Sequence, residues 1–205
     1  MFGAMQDWTM GVTHVIDHAA REAGSREIVA RWADGSETRT DWNGIRRDAL
    51  KMAQALEALG VKPGDRVASL AMNHSRHLVS WYGVAGMGGV LHTVNPRLFE
   101  DQLEYIVNHA EDKVLCYDAA FQPIVDMMKS RWTTIEHYIC YDSGEHAPAF
   151  EDWIGAQNGD CAWVEGDERD PCMLCYTSGT TGHPKGVLYE HRSTVLHALA
   201  GLQPA

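Results

Sequence analysis

Long apolar runs and basic residues are scarce in this 205-residue sequence, and each scarcity excludes a class of protein. The longest stretch without a charged or strongly polar side chain, Trp81 to Leu91, contains four glycines, whereas a membrane-spanning helix needs about 20 apolar residues. The segment from Met1 to Asp7 has neither the basic nor the apolar region of a signal peptide, so we expect a cytoplasmic protein. Lysine and arginine number 17 against 28 acidic residues, a net charge of −11, which argues against a nucleic-acid partner because such binding needs a basic face.

Cysteine is also scarce, with five residues in the whole chain. An odd number of cysteines in a chain of this length favours a reducing compartment over a disulfide framework. Apolar residues make up 45% and charged residues 22% of the sequence, which is typical of a globular domain and excludes a disordered chain.

Helical and strand patterns alternate along the chain. In the segment from Trp42 to Leu59, apolar residues recur at spacings of four and three, Asp41 is suited to cap the start, and Gly60 to end the helix. Further helices are predicted at Ser75–Met87, Glu100–Ala110, Phe121–Lys129 and Ser193–Leu202. Strands are predicted at Arg66–Met72, Val90–Val94, Lys113–Asp118, Ile135–Tyr141 and Cys172–Tyr176. This alternation is typical of parallel βαβ units and predicts an α/β sandwich.

Two segments fall outside this alternation. The residues from Glu27 to Thr40 suggest a polar hairpin around Asp34-Gly35. The segment 142–170 is rich in glycine, proline and acidic residues and is interpreted as a surface loop or linker.

One stretch, Cys175 to Val187, combines a strand with a loop of hydroxyls and glycines and a lysine. Gly179 and Gly182 permit backbone conformations that turn N–H groups toward an anion, and Lys185 adds a positive charge. The hydroxyl donors are Thr177, Ser178, Thr180 and Thr181. These features suggest a phosphate cradle, and composition alone leaves a mobile surface loop as the alternative.

Two common phosphate-binding motifs do not match. A P-loop requires a second glycine five residues after the first and a serine or threonine after the lysine; counting from Gly179 gives Pro184, and Gly186 follows Lys185. The dinucleotide pattern Gly-x-Gly-x-x-Gly fails as well, because after Gly86 and Gly88 the third position is Leu91.

The eleven residues from Tyr176 to Gly186 resemble the signature phosphate loop of the adenylate-forming, AMP-binding superfamily. The segment Tyr189 to Ser193 continues the motif as in fatty acyl-CoA synthetases. Leu91 to Leu98 and Asn108 to Asp112 resemble the medium-chain branch, which includes methylmercaptopropionate-CoA ligases. The resemblance implies an acid–thiol ligase that converts a carboxylic acid to an acyl-adenylate with ATP and then to an acyl-CoA thioester with coenzyme A. The expected acid is a medium-chain or short fatty or thioether acid.

The resemblance also implies roles for individual residues. The loop residues expected to bind the phosphates of ATP are Thr177, Ser178, Gly179, Thr180, Thr181, Gly182 and Lys185. Thr177 matches a position linked to Mg²⁺, and Lys185 is a loop lysine that differs from the catalytic lysine of the family. No residue of this chain is expected to be the catalytic one.

Family members are well over twice as long as this chain, and their signature loop lies in the first half. Residues 1–205 are therefore interpreted as the N-terminal part of the AMP-binding domain, with the phosphate loop at 176–186 and the C-terminal lid absent. We expect such a fragment to be inactive alone; the alternative is a vestigial or partner-binding α/β domain. The resemblance allows a homodimer of the intact enzyme.

Several cysteines and histidines have ordinary interpretations. Cys172 and Cys175 lie an odd number of residues apart on a strand, so they are predicted on opposite faces and in the core instead of at a zinc site. His14 and His18 are interpreted as part of a solvated helix face, and His74 and His77 as capping or surface residues. His183 is expected to be exposed, with phosphate contact as the alternative, and His191 is expected to pack or to contact substrate.

Overall fold

The computed structural model describes residues 3–4, 8–32, 35–142, 148–177 and 182–202. Its strands are β1 (Glu27–Arg31), β2 (Glu37–Asp41), β3 (Arg66–Leu70), β4 (Val90–Thr93), β5 (Asp112–Tyr117), β6 (His137–Cys140), β7 (Pro171–Thr177) and β8 (Lys185–Glu190). Its helices are α1 (Val12–Ala23), α2 (Trp42–Ala58), α3 (Ser75–Gly86), α4 (Glu100–Ala110), α5 (Gln122–Met128), α6 (Phe150–Gly155) and α7 (His191–Gly201), with a 3₁₀ turn at Ala119–Phe121.

A six-stranded sheet in the order β6-β5-β3-β4-β7-β8 forms the centre of the fold. Strands β3 to β7 are mutually parallel, and β8 pairs with β7 antiparallel. The predicted parallel βαβ sandwich is therefore confirmed, with the correction that β8 makes the sheet mixed. The predicted polar hairpin is confirmed as the separate antiparallel pair β1–β2.

Local sequence signals account for the longest helix. The Asp41 side chain accepts a hydrogen bond from the Gly44 N–H at 2.7 Å, and α2 continues to Ala58. Its apolar stripe, which includes the fully buried Met52 and Leu56, packs against the sheet together with α3. The predicted helix with its capping residue is thus confirmed, because the determinants are contained within one segment.

The two faces of the sheet carry separate hydrophobic cores. One core contains α2, α3 and α6, and the other contains α4, α5 and the fully buried Leu115. The chain leaves β3 toward α3 on the first face and leaves β4 toward α4 on the second. The carboxyl ends of β3 and β4 therefore form a topological switch point, the usual position of a ligand crevice in such sheets.

The segment 142–170, which the sequence predicts as a loop or linker, contains a short helix. Within α6, Phe150 and Ile154 are buried in the same core as α2. Trp163 packs against Gly86 of α3, and the Val164 N–H donates to the Gly86 carbonyl oxygen at 2.8 Å. The described part of this segment is therefore attached to the sheet layer, an attachment that its polar composition does not reveal. Among the described helices, none is long and apolar enough to cross a membrane.

Candidate functional site

The β7–β8 hairpin carries the two described ends of the proposed phosphate loop. Thr177 is the last residue of β7 and Lys185 the first residue of β8, and they are register partners in the antiparallel ladder. The Thr177 hydroxyl donates a 3.5 Å hydrogen bond to the Lys185 carbonyl oxygen. Because directly opposed residues of antiparallel strands share a face, the hydroxyl and the ammonium group project to the same side. Both residues are exposed.

The sequence interpretation of Lys185 as a loop residue is corrected by its position at the start of β8. Likewise, Tyr176 and Gly186, the ends of the predicted loop 176–186, are paired strand residues. The sequence does not reveal this strand because its segment from Lys185 to Glu190 is exposed throughout and lacks an alternating apolar pattern. Gly182 has a φ of +86°, the left-handed conformation expected of a turn glycine. Ser178, Gly179, Thr180 and Thr181 lie outside the described residues.

Tyr176 anchors the hairpin to the second face of the sheet. Its hydroxyl oxygen lies 2.6 Å from Nδ1 of His109 on α4, and its ring centroid is 5.1 Å from that of His92 on β4. Burial raises the pKa of Tyr176 to about 12, so the phenol stays protonated at neutral pH. No sequence pattern indicates this contact, since the partner on α4 lies 67 residues away.

Beneath Tyr176 lies a fully buried pair of ionisable residues. Nδ1 of His92 is 2.6 Å from Oδ2 of Asp112, and neither side chain has exposed surface. Burial raises the pKa of Asp112, although the neighbouring His92 acts in the opposite direction. The other polar atoms of the pair, His92 Nε2 and Asp112 Oδ1, have no hydrogen-bond partner in the described part of the chain.

His183, in the proposed phosphate loop, is exposed as predicted, yet its ring is ordered by a contact. It stacks on Tyr105 of α4 with ring centroids 4.3 Å apart and planes inclined by 18°. Tyr105 in turn stacks on His109 at 5.0 Å. The same two residues of α4 therefore contact both ends of the hairpin turn.

A second polar cluster lies at the carboxyl ends of β3 and β5. His74 caps α3 as predicted, because its Nδ1 accepts the His77 N–H at 3.1 Å, which leaves the proton on Nε2 to donate to Asp118 at 2.8 Å. The alternative surface assignment of His74 is wrong, since it is 7% exposed and stacks beneath Trp32. Together with His77 it lines a cavity of about 520 Å³ at the switch point.

The other singled-out residues support the fold. Cys172 is fully buried, Cys175 is half-buried, and all five cysteines are free thiols. His18 is exposed, whereas His14 is half-buried and stacks on Trp8 at 4.7 Å. His191 has a packing role, in that its Nδ1 accepts the Val12 N–H at 3.3 Å.

Glu168, within the segment 142–170 that the sequence predicts as a surface loop or linker, joins the two ends of the described chain. Its carboxylate accepts the Met10 N–H at 3.0 Å and pairs with Arg192 of α7. Both partners are distant in sequence, so nothing in the local pattern indicates this contact.

Comparison with known proteins gives a consistent family match. The model of the AMP-binding enzyme family matches residues 16–203. The chain is 46% identical to a 3-methylmercaptopropionyl-CoA ligase of Ruegeria lacuscaerulensis, covering 98% of this chain and 39% of that protein. It is 41% identical to a medium-chain-fatty-acid–CoA ligase of Ectopseudomonas oleovorans, covering 100% of this chain and 39% of the relative. The chain thus spans about two fifths of the length of these curated relatives.

Solved structures support the same fold. A crystal structure of an anthranilate CoA ligase in complex with anthranoyl-AMP superposes with a TM-score of 0.82 at 23% identity, over 97% of this chain and 38% of the other. The inhibitor-bound N-terminal domain of FACL13 from Mycobacterium tuberculosis gives a TM-score of 0.76 at 28% identity, over 88% of this chain and 44% of the other.

Proposed function

The chain belongs to the AMP-binding enzyme family, and from this premise we propose that the protein containing it is an ATP-dependent acyl-CoA ligase. A carboxylate oxygen attacks the α-phosphorus of ATP, giving an acyl-adenylate and releasing pyrophosphate. The thiol of coenzyme A then attacks the acyl carbon, forming the thioester and releasing AMP and a proton. The observation that carries this proposal is the 46% identity to a curated CoA ligase over nearly the whole chain. The alternative, a non-catalytic vestigial or partner-binding domain, is not favoured.

Within this proposal the β7–β8 hairpin contributes the phosphate-binding groups. Thr177 and Lys185 are register partners at its turn end, which places a hydroxyl donor and a positive charge side by side. We propose that they bind the β- and γ-phosphates together with Ser178, Gly179, Thr180, Thr181 and Gly182. Fixed donors of this kind stabilise the charge that develops on phosphate oxygens during adenylation.

Mg²⁺ enters this proposal as part of the substrate MgATP. The Thr177 residue is exposed, and within the described part of the chain its hydroxyl has only the long 3.5 Å hydrogen bond, so it is available as a hard oxygen ligand. Among the described residues there is no group of three histidine, cysteine, aspartate or glutamate side chains that could hold a metal ion. A single protein oxygen, that of Thr177, suits Mg²⁺, which usually takes few protein ligands and completes its coordination shell with phosphates and water.

The finer assignments follow the most similar relatives. Identities of 46% and 43% to two 3-methylmercaptopropionyl-CoA ligases and 41% to a medium-chain ligase support a short thioether or medium-chain fatty acid as the substrate. The net charge of −11 supports the absence of a nucleic-acid partner. A cytoplasmic location is supported by the five free cysteines, and a homodimer of the intact enzyme rests on the family resemblance.

The test is acid-dependent exchange of labelled pyrophosphate into ATP by the intact protein. The acid panel is 3-(methylthio)propionate, octanoate, palmitate and benzoate. We expect exchange with one of the first two acids, and about a tenfold or greater loss in Lys185→Ala and Thr177→Ala, because each removes a phosphate donor. Lys129→Ala, an exposed lysine stacked on Tyr138, is the matched control and keeps full exchange. If none of these acids supports exchange, the proposed ligase function is rejected. If Lys185→Ala and Thr177→Ala both keep full exchange, the phosphate-binding roles of Lys185 and Thr177 are rejected.

A further inference from the structure

The two ends of the β7–β8 turn contact one helix, α4, through the side chains of Tyr176 and His183. On the β7 side, the Tyr176 hydroxyl lies 2.6 Å from His109 Nδ1. On the other side, the His183 ring stacks on Tyr105 at 4.3 Å. Tyr105 and His109 lie four residues apart on α4 and therefore share one helix face, where their rings stack at 5.0 Å.

The stack at His183 is not a consequence of burial. His183 is exposed, so its ring could remain in water, and stacking it on Tyr105 costs side-chain conformational entropy. Its neighbours direct it there: Gly182 turns the chain with a φ of +86°, and Pro184 is buried. Beyond the backbone pairing of β7 with β8, a weak 3.5 Å hydrogen bond from the Thr177 hydroxyl to the Lys185 carbonyl oxygen links the two strands at the turn end of the hairpin.

We propose that Tyr105 and His109, the α4 platform, are positioning residues that hold the turn end of the β7–β8 ladder, and with it Thr177 and Lys185, in place for phosphate binding, with His183 as the residue that docks on the platform. This inference rests on the proposed ligase function for its consequence in catalysis. The docking itself is a property of the described residues and can be measured without nucleotide.

The platform is flanked by the buried His92–Asp112 pair, over which Tyr176 packs at 5.1 Å. Tyr176 therefore lies between a fully buried layer and the α4 surface, and its hydroxyl bond to His109 fixes the orientation of its ring. Because Thr177 directly follows Tyr176, a shift of the Tyr176 ring moves the threonine hydroxyl as well. His183 lies in the turn, two residues before Lys185, the first residue of β8.

The direct test is hydrogen–deuterium exchange of peptides covering residues 174–177 and 185–188 in the 205-residue chain without nucleotide. His183→Ala should increase exchange at both peptides by about two- to tenfold, the range that the worth of one aromatic pair implies. His183→Phe and Tyr105→Phe keep a stacked ring and should match the parent chain. His197→Ala, which removes an exposed histidine of α7, is the matched control.

The catalytic consequence is measured as ATP–pyrophosphate exchange by the intact protein. His183→Ala should raise KM for ATP by about two- to tenfold with little change in kcat, because a positioning interaction that stabilises the ground state and the transition state equally acts on binding alone. His183→Phe should restore the parent KM.

The outcomes separate the two proposals. Unchanged amide exchange in His183→Ala overturns the proposal that docking of His183 on α4 stabilises the hairpin. Equal acceleration of exchange in His183→Ala and His183→Phe overturns it as well. Faster amide exchange with an unchanged or lower KM overturns the positioning role of the α4 platform. Absence of ATP–pyrophosphate exchange in the parent protein rejects the ligase function instead, and the nucleotide-free measurement then still decides whether His183 docks on α4.

Discussion

His92 and Asp112 form a fully buried pair, with Nδ1 of the histidine 2.6 Å from Oδ2 of the carboxyl group. They belong to β4 and β5, which are separated in the sheet by β3. The pair thus spans the strand between them and lies directly beneath Tyr176 at the base of the candidate site. A buried polar group of this kind is stable only while its partner is present.

Removal of the carboxyl group should therefore be costly. We expect Asp112→Ala to lower the free energy of unfolding by about 3–5 kcal/mol, because His92 is left buried without its partner. Asp112→Asn keeps a hydrogen-bonding group of the same shape and should cost less. Asp101→Ala removes a 96% exposed carboxylate that pairs with Arg131 and should cost about 0–1 kcal/mol. Urea unfolding measures all three, and equal losses in the three variants would contradict a buried pair.

The turn glycine Gly182 offers a test of backbone strain alone. A methyl group added at this position meets no atom of the described residues within 4 Å, but the φ of +86° at Gly182 lies in the region that favours glycine. We expect Gly182→Ala to destabilise the chain by about 1–2 kcal/mol in thermal unfolding. Gly155→Ala also places a methyl group in open space, at the end of α6, and should be neutral or stabilising by about 0.5–1 kcal/mol. An equal loss of stability in Gly182→Ala and Gly155→Ala would show that the positive φ of Gly182 is not the cause of the destabilisation.

Close packing of α3 against the segment 148–170 depends on Gly86. A methyl group there would meet the ring of Trp163, so we expect Gly86→Ala to cost about 1–3 kcal/mol and to change the tryptophan fluorescence. The cost should shrink in a Trp163→Ala background, since the clash is then absent, and a double-mutant cycle measures this coupling. Gly201→Ala, whose added methyl group meets no described atom within 4 Å, is the control. Additive effects of the two changes would show that the ring does not occupy this position.

Acid should weaken the contact between α1 and α7. Burial lowers the pKa of His191 below its ordinary value of 6.5, despite the opposing effect of Asp170. Its neutral Nδ1 accepts the Val12 N–H, and protonation of that atom removes the acceptor. Since the unfolded chain binds this proton more readily, the contribution of His191 to stability is complete above about pH 6.5 and is lost as the pH falls toward the lowered pKa of the folded state.

The measurement is the unfolding midpoint between pH 7.5 and pH 5 for the parent chain and for His191→Gln. We expect the parent midpoint to fall more steeply with decreasing pH than that of the variant. His197→Gln, an exposed histidine on the same helix, is the control and should follow the parent profile. Parallel profiles for the parent chain and His191→Gln would exclude His191 as the titrating group.

Elements whose determinants are local were predictable from the sequence. The helix after Asp41 has its cap, its apolar stripe and its terminating glycine within twenty residues, and the predicted bounds of α4, Glu100–Ala110, are those of the structure. The motif around Thr177 and Lys185 was also recognisable in the sequence, because it is a contiguous pattern of hydroxyls, glycines and a lysine, and its phosphate-binding role stays a prediction. The family assignment followed from that pattern, and the family model that matches residues 16–203 confirms it.

Features that depend on distant segments were decided by the tertiary structure. Strand β8 exists because β7 offers it a ladder of hydrogen bonds, whereas its own six residues are exposed and show no alternation. Glu168 contacts Met10 across 158 residues of sequence, and Tyr176 contacts His109 across 67. By itself, the sequence determined the local elements, since short-range periodicity and capping encode these. Its loop motif also carries the prediction that Thr177 and Lys185 bind phosphate. The order of the strands decided which side chains meet at the base of the hairpin, because packing and buried hydrogen bonding act between residues that are far apart in the chain.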